Sequence, residues 1–346
     1  MFGAIIVVGE KDAADFGAVR APRSTQVLGG VQLACVEVLG RSILEAMIEN
    51  LRVAGVGPIS VLRRWSTANV DAWYRFSQTP VSVPGGVEFC CVEDLSAAVG
   101  LKLREQQESG TEATLVMPLG PYVELDASDL FQFHRAQRQS ATPLVDRDGS
   151  LDMWLVETAC FASAPDVVPS LPALQAASYE VSGYVNRLDH PRQLRRLTVD
   201  ALTSKCGLRP LGQEVRPGVW CGEGAHIRRG ARILAPAFIG RDSVICDDCE
   251  IADCSSIERD CEVDYATAVS DASLLSNSYV GIGLEIRNSI VNGSSLLSLE
   301  HDVTLEIKDP FVMRQNKALG NEANRPSPAE IEVPGMLFNP AEEAAN

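Results

Sequence analysis

An α/β domain followed by a left-handed parallel β-helix of hexapeptide repeats is the fold class this sequence predicts, and three observations predict it. Branched aliphatic residues recur at every sixth position through the second half. A track of small residues runs two positions ahead of them. The first half alternates short apolar runs with helical stretches. A chain of 346 residues exceeds one ordinary domain. The expected division is 1–205 for the α/β domain, 206–310 for the β-helix and 311–346 for an acidic, Pro-containing tail.

The aliphatic track reads Ile227, Ile233, Ile239, Ile245, Ile251, Ile257, Val263, Val269 and Leu275. The small track reads Ala225, Ala231, Ala237, Ser243, Cys249, Ser255, Cys261, Thr267 and Ser273. A period of six fits neither the 3.6 of a helix nor the 2 of one long strand. It fits a triangular solenoid in which each hexad supplies a short strand and a corner, with coils about 4.8 Å apart. The aliphatic fills the interior and the small residue lets the chain turn. The register slips at Val280, resumes at Ile286, slips at Val291 and runs on through Leu297 and Val303, which makes roughly five coils. Phe238, Val244 and Leu274 fall at outward positions, and an apolar cluster on a flat face predicts a homo-oligomer.

In the first half the strand candidates are Ala4–Val8, Ile59–Leu62, Val87–Val92 and Thr114–Met117. Ser42 to Leu51 has the helical period, with Ser42 at the cap, Glu45 three residues on and Gly55 at the end. Asp126 and Asp129 read as acids at a helix entry, and Asp146 to Gly149 as a hairpin turn. Together these form a Rossmann-like α/β sandwich whose ligand crevice lies at the carboxyl ends of the strands.

Asp and Glu number 46 against 30 Lys and Arg, a formal charge of −16. A surface that acidic repels a phosphate backbone, which excludes nucleic acid as a partner. No apolar run approaches the roughly 20 residues of a membrane helix. The start, Met1 to Gly9, reads as a strand and not a signal peptide. Ten cysteines without a secretion signal read as reduced thiols, so a cytoplasmic protein is expected. Cys246, Cys249, Cys254 and Cys261 do not stack at the 18-residue spacing of a coil, which opposes a zinc site.

Val38-Leu39-Gly40-Arg41-Ser42-Ile43-Leu44-Glu45, with Ile48 to Val56 after it, resembles the NDP-sugar pyrophosphorylases, also called sugar-1-phosphate nucleotidyltransferases; the mannose-1-phosphate guanylyltransferases are the nearest in style. Phe131-Gln132-Phe133-His134, Gly183-Tyr184-Val185 and Gly218 to Ala225 extend the likeness, and Ser278 to Gly281 and Ile286 to Val291 carry it into the repeats. The resemblance covers about residues 1–310. It implies joining of a nucleoside triphosphate to a sugar 1-phosphate with release of pyrophosphate. That chemistry needs a phosphate cradle, a cation and carboxylates for magnesium.

Where the family has its Gly-rich loop, this chain reads Gly9 to Gly17 with acids in place of glycines. The expected lysine falls on Leu33, and the two expected metal aspartates fall on Gly120 and Arg187. The base-binding loop corresponds to Leu95-Ser96-Ala97-Ala98, without its glycine. Candidate anion- or nucleotide-binding residues are therefore Lys11, Arg20, Arg23 and Ser96, with the loop cations equally readable as solvated charges. Arg63 and Arg64 end a strand and read either as facing the crevice or, as strand-end arginines ordinarily are, as solvated.

The sequence thus predicts a nucleotidyltransferase-like protein of sugar-nucleotide or surface-polysaccharide metabolism, without catalytic residues or a metal site. Its expected partners are a sugar nucleotide, and a second copy or a catalytic paralogue. One alternative is an active nucleotidyltransferase with magnesium as cofactor. Another is acyl transfer from the β-helix through His226 or His301.

Overall fold

The computed structural model describes residues 2–8, 36–64, 87–162, 167–171, 174 and 176–316. Met1–Asn316 falls in one compact unit.

The first half builds a seven-stranded mixed sheet. Its strands are β1 (Phe2–Val8), β2 (Ile59–Arg64), β3 (Val87–Val92), β4 (Ala113–Pro118), β5 (Ala141–Asp146), β6 (Gly149–Glu157) and β7 (Tyr179–Glu180), in the order β7-β5-β6-β4-β1-β2-β3. β3, β2, β1 and β4 run parallel, and β6 pairs antiparallel with β4 and β5. The parallel order is compatible with a Rossmann-like domain. β1 is apolar throughout because both its faces are covered. Ala4, Ile6 and Val8 pack towards helix α1 (Ile43–Val53), while Ile5 and Val7 pack with Val99 and Leu103 of helix α2 (Leu95–Glu108).

Local signals in the sequence are met residue for residue here. Ser42 accepts from the Glu45 N–H, Glu45 reaches back to the Ser42 N–H, and Gly55 has φ of +81° beyond the helix end. Asp126 caps helix α3 (Ala127–Gln137) by accepting from the Asp129 N–H. Asp146 to Gly149 turns the β5–β6 hairpin.

The second half is a stack of short parallel strands. The chain visits three ladders in turn. The first holds Val219–Cys221, Ala237–Ile239, Ser256–Ile257, Ser273–Leu274 and Ser289–Asn292. In the second lie His226–Ile227, Val244–Ile245, Glu262–Val263 and Ser278–Val280. Arg232–Ile233, Glu250–Ala252, Ala268–Ser270 and Glu285–Arg287 make the third. This arrangement is consistent with a β-helix. Ile239, Ile245, Ile251, Ile257, Val263 and Val269 are fully buried in one core.

The small track does more than relieve crowding. Ser243 donates to the Glu258 carbonyl and accepts from the Cys261 N–H of the next coil. Thr267 does the same with the Gly281 carbonyl and the Leu284 N–H. Corner backbone that cannot join a ladder is satisfied this way.

Three expectations are corrected. The register slips before Leu274, not at Val280. Asp242, Asp248, Cys254, Asp260 and Ala266 mark left-handed corners six apart, but the next corner is Asp271. Leu274 therefore stacks on Ile257, and Ala272 takes the inner position assigned to Ser273. Secondly, the parallel stack stops after four coils and one strand. Ser295–Ser298 and Val303–Glu306 fold back antiparallel, which leaves Val303 46% exposed. Thirdly, Phe238 and Leu274 are fully buried and offer no outer apolar face; Val244 alone is half-buried.

Phe238 is buried because a hairpin of the first half lies on it. Glu37–Val38 and Arg41–Ser42 pair around Leu39 and Gly40, both left-handed at φ +56° and +83°. A Cβ at Gly40 would stand 3.1 Å from both the Phe238 ring and Leu211. Glu258, 1% exposed, accepts from the Leu39 N–H at 2.9 Å and the Gly40 N–H at 2.8 Å, one on each carboxyl oxygen. Leu211 N–H donates to the Leu39 carbonyl at 2.9 Å. Beside it, Glu37 pairs with Arg259 and accepts from Ser276.

Burial, and then the nearby charge of Glu37, push the Glu258 carboxyl up to about 8. The folded chain therefore holds a proton that the unfolded chain releases between those two values, so this contribution is full below pH about 4.5 and is lost as pH rises through about 8. Glu258→Ala strips two buried N–H groups of their acceptor, at about 1–3 kcal/mol each. Urea titrations should show the wild-type advantage over Glu258→Ala greatest at the acid end of this range and shrinking towards pH about 8. Equal stability at every pH would contradict the assignment.

Candidate functional site

In an open α/β sheet the ligand crevice lies at the carboxyl ends of the parallel strands, beside the point where strand order reverses. Here that point lies between β1 and β4. Val8, Arg63, the segment from Val92 to Ser96 and the segment from Pro118 to Gly120 stand there. Leu119 N–H donates to the Val7 carbonyl at 2.7 Å, which ties the turn after β4 to the end of β1.

Arg63 is opposite Val8 on one side and Cys91 on the other, and is 3% exposed. Of the two sequence readings of this arginine, the solvated one is corrected: it is buried near the end of a central strand. A buried guanidinium keeps its charge and is a natural neighbour for an anion. Lys11, Arg20, Arg23 and Leu33 lie outside the described residues, as does the side chain of Arg64.

Ser96 stands in the first turn of α2, where Asp94 caps by accepting from the Ala97 N–H at 3.1 Å. Its hydroxyl is shut from solvent and has no hydrogen-bond partner among the described residues. The N–H groups of this helix start favour negative charge.

Gly120 and Arg187 are separated by 67 positions, yet the fold brings them to the same place. Tyr122–Val123 pairs antiparallel with Val185–Asn186, so the chain just before Tyr122 runs alongside the chain just after Asn186. Gly120 is buried, and a Cβ built on it would meet nothing within 4 Å. Arg187 reaches the other way. Its Nε donates to Asp146 Oδ2 at 2.9 Å, one Nη donates to Asp146 Oδ1, and the same Nη donates to the Gly149 carbonyl at 3.1 Å. The bidentate guanidinium holds the Asp146 carboxyl below its usual range.

Gly183-Tyr184-Val185 is occupied with structure. A Cβ at Gly183 would overlap the Glu124 carbonyl, Tyr184 donates to Asp200 at 2.9 Å, and Asn186 donates to the Gln193 carbonyl.

Chemically, the described strand ends carry a buried cation, Arg63, on the face of the sheet that α1 covers, and a helix N-terminus at Ser96 on the other face. Magnesium-centred phosphoryl transfer needs carboxylates at the reacting phosphates. Neither Gly120 nor Arg187 fits that ion, and among the described residues no three His, Cys, Asp or Glu side chains converge. In the repeats, His226 lies on the exposed outer side of its strand and His301 is exposed. Cys249 and Cys261 are buried free thiols of the inner track. No helix among the described residues is long and apolar enough to cross a membrane.

The sequence matches no protein-family profile and no curated protein. Among solved structures the chain is similar to the crystal structure of HddC from Yersinia pseudotuberculosis, at 13% identity over 56% of this chain and 97% of that one, with a TM-score of 0.41.

The Arg187–Asp146 pair yields a signed prediction. A carboxyl with a depressed folded pKa contributes stability above its unfolded value, about 3.9, and loses it as pH falls through the folded value. Arg187→Ala should cost about 1–3 kcal/mol at pH 7, with the difference from wild type narrowing as pH falls below the unfolded value. A gap that persists unchanged to pH 2.5 would show that the arginine acts through packing alone.

Proposed function

We propose that this chain is a nucleotidyltransferase-like protein of sugar-nucleotide or surface-polysaccharide metabolism that binds its ligand and does not turn it over. We propose also that the parallel coils from Val219 to Asn292 are a left-handed β-helix serving as its spacer and support. One observation carries the functional reading. The ladder between Tyr122–Val123 and Val185–Asn186 still brings together the two positions at which the resemblance places metal aspartates. One is now a glycine with open space around it, and the other an arginine committed to Asp146. This supports a reading in which the framework for the chemistry is kept and the groups that perform it are replaced.

The ligand class follows from the same surroundings. Arg63 and the start of α2 at Ser96 supply positive potential at the carboxyl ends of the strands, suited to the diphosphate of a sugar nucleotide. Among the described residues no carboxylate pair stands there, and we read the binding as one without magnesium. A second copy of the chain, or a catalytic relative, is the partner expected to use the bound state.

A thermal-shift panel of nucleoside triphosphates, sugar 1-phosphates and sugar nucleotides tests this, run once with magnesium and once with a chelator. A ligand present at about 100 times its Kd adds about 2.7 kcal/mol to stability. The expected result is a shift of a few degrees by a sugar nucleotide, the same in both arms. No shift with any ligand would end the binding reading. A shift that requires magnesium would favour the active enzyme instead.

A further inference from the structure

The helix Pro191–Leu202 is amphipathic, burying Leu194, Leu197 and Ala201, yet it places three arginines within five residues in a chain of net charge −16. Arg192, Arg195 and Arg196 line an open cavity of about 640 Å³ between this helix and the far end of the repeats, joined there by Lys205. Asp200 and Glu300 are its acidic residues. The cavity is remote in sequence from the strand ends that form the crevice, and it falls within the size range of small-molecule sites.

Arg195 carries the case. It is 4% exposed, and one Nη donates to the Asp253 carbonyl at 3.2 Å and to Asp271 at 3.0 Å. Its Nε and other Nη are shut from solvent and have no partner among the described residues. The one carboxylate facing it, Asp271, is itself half exposed. An arginine cannot shed its proton to escape burial, so an undercompensated guanidinium is a standing electrostatic debt. Buried polar groups are nearly always satisfied, so an exception calls for a physical reason.

The neighbours do not discharge it. Arg192 spends its Nε and one Nη on the Leu299 carbonyl, and no carboxylate among the described residues pairs with it. Arg196 and Lys205 share Asp200, at 3.3 and 3.6 Å, and Asp200 also accepts from Tyr184. Four cations thus face three carboxylates, Asp200, Glu300 and Asp271, and the surplus is positive against the sign of the whole chain.

We propose that this cavity is a binding site for a small phosphorylated molecule, whose phosphate oxygens lie against Arg192 and Lys205, above the buried and undercompensated fork of Arg195. Guanidinium forks match phosphate in geometry and hold it by charge-assisted hydrogen bonds. The net charge of −16 of the whole chain disfavours a long polyanion. This site goes beyond the crevice reading and stands without it.

Calorimetric titration of the full chain with inorganic phosphate, inorganic pyrophosphate and glucose 1-phosphate tests it, against sodium chloride of equal ionic strength. Saturable binding with Kd below about 1 mM is expected for at least one of them. The tightest of the three distinguishes a free phosphate from a diphosphate or a sugar phosphate. Arg192→Gln combined with Lys205→Gln, both exposed and safe for folding, should weaken that binding about tenfold or more. Arg195→Lys, which keeps the charge and removes the fork, should weaken it as well. Heats no larger than those of the chloride control would overturn the proposal. So would binding that both variants leave unchanged, since the ligand would then sit elsewhere.

Discussion

The most deeply buried polar tie between the two halves of this protein is the carboxyl group of Glu258. Glu258 leaves the repeats at a corner and closes on the Leu39 and Gly40 N–H groups, and no water competes for it. Much else follows from that contact. Gly40 must be a glycine, because its left-handed backbone lies against Phe238 and Leu211 with no room for a side chain. Phe238 is buried because the hairpin covers it. Ser42, the last residue of the same hairpin, caps α1, whose apolar face packs on Ile6 and Val8 of the first strand. A displacement of Glu258 would therefore pass through the hairpin to the helix and to the strand beside the crevice.

Periodic and local signals made most of the fold legible. The hexad, the capping box at Ser42 and Glu45, and the apolar runs of the central strands each depend on residues close in sequence. What was misplaced depends on partners far away. Phe238 looks outward by hexad count, and only the hairpin some 200 residues earlier makes that position interior. The slip was legible in principle, since the left-handed corners at Ala266 and Asp271 are five apart where the others are six. Leu297 kept the aliphatic pattern, but an antiparallel return places apolar residues as well as a parallel coil does.

The site was legible in identity and not in geometry. Counting along the chain placed glycine and arginine where aspartates were expected, but not their convergence through a ladder of two short strands, nor the pairing of Arg187 with Asp146. Arg63 reads in sequence as crevice-facing or solvated, and its burial was not legible because it depends on what packs over that face of a central strand. Arg195 gave no signal at all, because a basic residue on an amphipathic helix carries no mark of what will be packed over it.

The account rests on replacement of the reacting groups while their framework is kept, and pyrophosphate exchange reads that most directly. Purified full-length protein is incubated with labelled pyrophosphate, magnesium, and each common nucleotide sugar in turn, and incorporation of label into nucleoside triphosphate is followed. Loss of charged transition-state partners costs about 10²–10³ in rate for each, so exchange is expected to stay at the level of the blank. Magnesium-dependent turnover within the ordinary enzyme range of about 1–10³ s⁻¹ would contradict the account, and would place the chemistry on residues other than those at positions 120 and 187.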